Sequence, residues 1–217
     1  MTSPADSPSE RRRSGRFDSE LRRLANRAVK TGIGVALLAG VRRRDPSVVV
    51  NGVLSLAFTA LPRALESVYD VRFRPWHRLW VSVAALVHVL GMLGPYDRVW
   101  WWDHLAHTLS GVVVAGATDA VLRAQAADGD PARDRSRSRA AVVAGVTLAF
   151  GVLWEVLEYV IHAVAGRLGF EPLLVHYGRR DTLADLFFDL VGAGLVIRFG
   201  RRALRVEEST ATDEPRD

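Results

Sequence analysis

Midway along the chain the sequence runs Trp101-Trp102-Asp103-His104-Leu105-Ala106-His107-Thr108-Leu109-Ser110-Gly111. It opens like an apolar membrane helix, yet it sets an acid and a histidine one helical turn apart, at Asp103 and His107. Two later segments do the same. Gly151-Val152-Leu153-Trp154-Glu155-Val156-Leu157-Glu158-Tyr159 carries Glu155 and Glu158 at i,i+3, with His162 a further turn on. Asp181-Thr182-Leu183-Ala184-Asp185-Leu186-Phe187-Phe188-Asp189 carries acids at i,i+4,i+8. An acid at mid-bilayer depth costs roughly 2.5 to 3.5 kcal/mol, so these stripes are expected to meet one another, water or a cation rather than lipid.

Composition supports a membrane setting. Of 217 residues 49% are apolar, the net charge is +5 and cysteine is absent. The apolar residues are clustered, which excludes an average soluble domain. The arginines fall in short runs that bracket the apolar segments instead of forming one basic face, so a nucleic-acid partner is not expected and membrane lipid is. Without cysteine there are no disulfides and no thiolate metal sites. No apolar run precedes Thr31 in the polar, arginine-rich leader, so the first membrane helix is expected to be an uncleaved anchor.

Residues 1–27 read as a cytoplasmic tail, disordered to about Arg16. From Phe17 to Lys30 it becomes either an amphipathic helix on the inner membrane surface or a solvated lead-in. Residues 28–202 read as the transmembrane domain and 203–217 as an acidic, disordered tail. Six apolar segments are expected at 28–41, 47–63, 77–94, 103–122, 140–165 and 181–200. Since a span needs about 20 residues, 28–41 is either a span extended by its flanks or an interfacial or re-entrant piece. The stretch 124–139 reads as a flexible connector. Lys and Arg in the short connections place both termini inside the cell membrane, with Arg42, Arg43 and Arg44 as a local contradiction.

In this topology the fourth and sixth segments start at the outer face and the fifth ends there. At about 1.5 Å per residue, His107 lies about 6 Å below Asp103, Asp189 about 12 Å below Asp181, and Glu158 and Glu155 about 10 and 15 Å below the outer end of the fifth segment. Three helices therefore place their polar faces in one leaflet, and His88 falls in the same half. The expected fold is all-α, a bundle of about six transmembrane helices with a carboxylate and histidine cavity near the outer face.

The motifs Trp101-Trp102-Asp103-x-x-x-His107-x-x-Ser110-Gly111, Gly151-x-Leu153-Trp154-Glu155-x-x-Glu158 and Asp181-Thr182-x-x-Asp185-x-x-x-Asp189-x-x-Gly192-Ala193, in this order, resemble the YjdF-like family of prokaryotic inner-membrane proteins. The resemblance covers about residues 46–200 and implies a membrane protein; the function of that family has not been established. His104 lies outside the pattern, and His162 stands where relatives often carry an acid.

Carboxylates with imidazole and no thiolate suit zinc, manganese, iron or magnesium. Asp103, His107, Glu155, Glu158, Asp185 and Asp189 are the candidate metal ligands, and Glu155, Glu158 and His107 the candidate catalytic groups, with Ser110 or Thr108 as hydrogen-bond partners. Simpler roles stand beside these. Asp103 and Asp181 can cap helices. His104, His162 and His176 can be interfacial anchors, and Trp100, Trp101 and Trp102 an aromatic belt. Three function classes follow: metal-dependent hydrolysis of a lipid or lipid-linked substrate, proton- or cation-coupled transport, and a structural membrane partner. A serine hydrolase on Ser110 and His107 is disfavoured, because both lie on one helix and no nucleophile elbow is present.

Overall fold

Helices are the only regular elements among the described residues of the computed structural model, which are 8–68, 75–127 and 135–211. In chain order they are α1 (Pro8–Arg43), α2 (Pro46–Phe58), α3 (Leu61–Val68), α4 (Pro75–Gly91), α5 (Pro95–Arg98), α6 (Trp102–Ala127), α7 (Arg135–Leu168) and α8 (Arg179–Ala211). The all-α expectation is met. Helical backbone begins at Pro8, inside the stretch expected to be disordered, and α8 continues to Ala211 in the expected acidic tail. Helices extend into the expected connector 124–139 from both ends, and residues 1–7, 69–74, 128–134 and 212–217 lie outside the described residues.

Local chemistry sets the boundaries. Arg44 adopts a left-handed conformation at φ 56°, while Asp45 N–H bonds to Gly40 O at 3.0 Å and Arg44 N–H to Val41 O at 3.1 Å. This paired closure is a Schellman C-cap for α1. Asp45 then caps α2, accepting from Val48 N–H at 3.1 Å, with Pro46 following where no amide is needed. Arg42 and Arg43 fall in the last turn of α1, where positive charge meets the negative end of the helix dipole. That accounts for a basic run that the charge count of the loops leaves unexplained. At the other end of the chain α7 stops at Gly169 (φ 73°), with Phe170 N–H reaching back to Ala165 O at 3.0 Å.

Three helices are long and apolar enough to cross a membrane: Glu20–Arg43, Trp102–Arg123 and Ser138–Leu168. The segment expected at 28–41 thus becomes part of a full-length candidate. The segment expected at 47–63 is instead a pair, Pro46–Phe58 and Leu61–Ser67, bent by 40°, and counting it as one span gives up to four. The break follows from Pro62, which has no amide hydrogen to continue the ladder. His77–Gly91 is a shorter apolar helix, and α8 carries Asp181, Asp185, Asp189 and Arg198 along its length.

Two apolar clusters organise the packing. Ile33, Ala36, Ala85 and Val89 join α1 to α4, with Leu56 of α2 against them. Ala115, Val143, Ala193 and Val196 join α6, α7 and α8. The most extensive pair is α6 with α8. They run parallel, because His104 lies by Asp185 and Gly111 by Gly192. A Cβ added at Gly111 would overlap the Asp189 carbonyl oxygen, and one at Gly192 would overlap the Thr108 carbonyl oxygen and lie 2.7 Å from Val112 N. Only glycine lets the two backbones approach this closely.

Gly111→Ala is therefore expected to destabilise the detergent-solubilised protein by about 1 to 3 kcal/mol through overpacking, read as a lower Tm. Gly194→Ala, whose added Cβ would meet nothing within 4 Å, should leave Tm unchanged or slightly raised, since alanine is the better helix former.

Candidate metal centre

Parallel packing of α6 on α8 and antiparallel packing of α7 bring three polar stripes to one point. His107 is its centre. Its Nε2 lies 3.7 Å from Asp103 Oδ1, 3.9 Å from Glu155 Oε1 and 4.0 Å from Asp185 Oδ1, while its Nδ1 lies 3.4 Å from Asp189 Oδ1. One ring edge thus faces three carboxylates from three helices, and the other edge faces a fourth. Asp185 is 1% and Glu155 6% exposed, so water does little to solvate them. Gly151 makes room for this arrangement: a Cβ there would overlap Asp189 Oδ2.

Donor atoms of Asp103, His107 and Asp185 lie within 4.8 Å of one another, and so do those of Glu155, Glu158 and His176. All six residues expected as ligands are brought into one neighbourhood, with Glu158 a turn further along α7. The buried atoms Glu155 Oε1, Asp185 Oδ1, Asp189 Oδ2 and His104 Nδ1 have no hydrogen-bond partner. Buried polar atoms of native proteins are nearly always paired, and several orphans at one point mark a place for an ion or water.

Two histidines join the site that the helical spacing did not select. His104 Nδ1 lies 3.5 Å from Asp185 Oδ1, and its ring stacks on Phe188 with centroids 4.5 Å apart. The signal for it was its i,i+3 relation to His107. His176 comes from the connection 169–178, where periodicity carries no information. That connection is pinned. Ser47 Oγ and Asn51 Nδ2 donate to Leu173 O at 2.8 and 3.0 Å, and the Tyr177 hydroxyl donates to Asp97 Oδ1 at 2.7 Å. The two proposed hydroxyl partners do not serve the site. Ser110 is exposed, and Thr108 donates to His104 O of its own helix at 2.8 Å.

His88 braces the site from beside it. Asn51 Nδ2 donates to Ser47 O and Leu173 O, which turns Asn51 Oδ1, an acceptor only, toward His88 Nε2 at 3.1 Å. His88 Nε2–H therefore donates, and Nδ1 accepts from the Tyr96 hydroxyl at 2.9 Å. With both nitrogens engaged His88 is not a ligand. Its ring meets the Trp154 edge at 5.8 Å, and Trp154 Nε1–H donates to Glu158 Oε1 at 2.8 Å. Of the tryptophans expected as a belt, Trp100 and Trp101 are exposed, while Trp102 is half-buried and donates to Val87 O at 3.1 Å.

Residues 26–206 match the family described as "Predicted membrane protein (DUF2238)". No curated protein and no solved structure matches the chain.

Partial burial, then the bond to Asp97, raises the Tyr177 hydroxyl above its ordinary range. The fold favours the neutral phenol, so its contribution is full below about pH 10, the ordinary tyrosine value, and lost as pH rises through the raised one. Tyr177→Phe is expected to cost about 0.5 kcal/mol, the low end for an exposed hydrogen bond. Amide exchange should speed up across residues 169–178 and stay unchanged in α6 and α8.

Proposed function

The chain belongs to the DUF2238 family of membrane proteins, and from that premise we propose that α6, α7 and α8 hold a divalent cation below one membrane face and use it to hydrolyse a lipid or lipid-linked substrate. The observation that carries this reading is the environment of His107. Its Nε2 faces Asp103, Glu155 and Asp185, two of which present buried, unpartnered oxygens. Its Nδ1 faces Asp189, as the second nitrogen of a metal-binding histidine faces a carboxylate that orients it. Asp103, His107, Asp185 and Glu155 would be the ligands, with Asp189 fixing the imidazole. Oxygen and nitrogen donors without thiolate suit zinc, manganese or iron(II).

A cation held there supplies Lewis-acid polarisation of a phosphoryl or acyl group and activation of water. Glu158, steadied by Trp154, lies beside Glu155 at the edge of the site. Hydrolysis is favoured over conduction because the polar groups do not continue along the bundle. Immediately along the bundle come the Gly111–Gly192 contact and the apolar layer of Ala115, Val143, Ala193 and Val196. The next charged group, Asp119, is paired with Arg123 and Arg139 at 2.7 and 3.2 Å. A proton or ion path needs polar groups in sequence, and this layer interrupts them.

For topology we propose six traversals with both termini cytoplasmic. The bent α2–α3 pair, the short α4 and the charged α8 would supply the crossings beyond the long apolar helices, and α8 is tolerated because Asp185 and Asp189 are buried against its neighbours.

Detergent-purified full-length protein loaded with Zn2+ and desalted is expected to retain at least one ion per chain, and Asp185→Asn fewer. At a Zn2+ concentration about 100 times Kd the wild type should gain about 2.7 kcal/mol of stability, read as a raised Tm, with little gain in the variant. Negligible metal in both, with no change in Tm, would sink the reading.

A further inference from the structure

Glu155 belongs to two groups at once. It lies 3.9 Å from His107 Nε2 through Oε1, and it is also a member of the trio with Glu158 and His176. We propose that Glu155, Glu158 and His176 form a second divalent-cation site, coupled to the first through Glu155, so that the centre is binuclear. This rests on the reading of Asp103, His107 and Asp185 as a cation site.

Four observations carry the second site. Its donor set, two carboxylates and one imidazole, is the same as that of Asp103, His107 and Asp185, so both suit one class of ion. Glu155 is buried and its Oε1 has no partner, and Glu155 and Glu158 lie on one face of α7 with their oxygens close together. In Glu158 the Trp154 indole N–H donates to Oε1 at 2.8 Å, which fixes the carboxylate. His176 is held on both sides in sequence: Leu173 O accepts from Ser47 and Asn51, and Tyr177 donates to Asp97. A histidine on a connection without regular structure is ordinarily free to swing, and pinning of its neighbours makes it a positioned donor.

The two sites differ in a way that bears on their use. The first trio comes wholly from helices and includes the buried His107 and Asp185; in the second, Glu158 and His176 are half-buried, toward the side where 169–178 lies. The second ion would therefore exchange more readily and meet a substrate first. Paired ions about 3.5 to 4 Å apart clamp the attacking and leaving oxygens of a phosphoryl or acyl transfer, and a shared carboxylate is the element that holds such a pair together.

Mn2+ alone is the probe. Full-length protein in detergent, loaded with Mn2+ and desalted, is expected to retain two ions per chain and to give the broadened resonance of exchange-coupled Mn2+. His176→Ala and Glu158→Gln should each retain one ion and give the spectrum of isolated Mn2+, with unfolding in chelator unchanged by His176→Ala to verify the fold. One ion in both wild type and His176→Ala overturns the second site and leaves the first intact. A folded His176→Ala with no ion overturns it too, since His176 would then serve the first ion. No ion in any sample removes both readings.

Discussion

Four carboxyl groups lie within 4.0 Å of a single imidazole, on helices whose outer surfaces are apolar. Two like charges about 4 Å apart repel by about 4 kcal/mol at an effective dielectric of 20, and one imidazolium cannot offset four carboxylates. Protons or a cation have to offset that repulsion, and most of the surrounding architecture follows from holding the cluster together. Asp185 and Asp189 can reside in α8 only because α6 and α7 cover them, and that cover requires backbones close enough for His107 to reach both. Gly111, Gly192 and Gly151 are where the approach happens.

The amino-terminal helices brace this centre from the side. Asn51 of α2 touches two elements at once: its amide nitrogen holds Leu173 in the 169–178 connection and its oxygen orients His88 of α4. His88 in turn supports Trp154, and Trp154 holds Glu158. A chain of polar contacts thus runs from α2 to the edge of the site through a region otherwise packed with apolar side chains. Buried polar networks fix one arrangement among many when all their members are satisfied, and both nitrogens of His88 and the whole amide of Asn51 are.

Much of the site was legible from spacing. Asp103 with His107, Glu155 with Glu158, and Asp185 with Asp189 are one turn apart, and the rise per residue put all three pairs in one leaflet. His104 stands i,i+3 from His107 yet was not singled out, because it is rotated about 100° from Asp103 and its role depends on where Asp185 arrives when α8 docks along the glycine contact. His176 lies in a connection, where no period applies. The apolar segments were readable as helices, but the number of spans was not. Pro62 breaks one segment and acids load another, and whether such a segment crosses a membrane depends on what its neighbours cover. Arg42 and Arg43 run against the charge count for a local reason, their place in the last turn of α1 at the negative end of its dipole.

Protons and a cation are the two ways to neutralise the cluster, and they demand different spacings. A protonated carboxyl shared with a carboxylate, or an imidazolium donating to one, closes to about 2.5 to 2.9 Å. Ligands around a tetrahedral zinc, each about 2.0 to 2.2 Å from the ion, stand about 3.3 to 3.6 Å from one another. On its Nε2 edge His107 stands 3.7, 3.9 and 4.0 Å from Asp103, Glu155 and Asp185, longer than hydrogen bonds and slightly wider than that ligand spacing, while its Nδ1 edge lies 3.4 Å from Asp189. Buried oxygens of Glu155 and Asp185 border the same gap without partners. Convergence of three carboxylates on Nε2 without a bonded chain leaves the spacing that the proposed cation would fill.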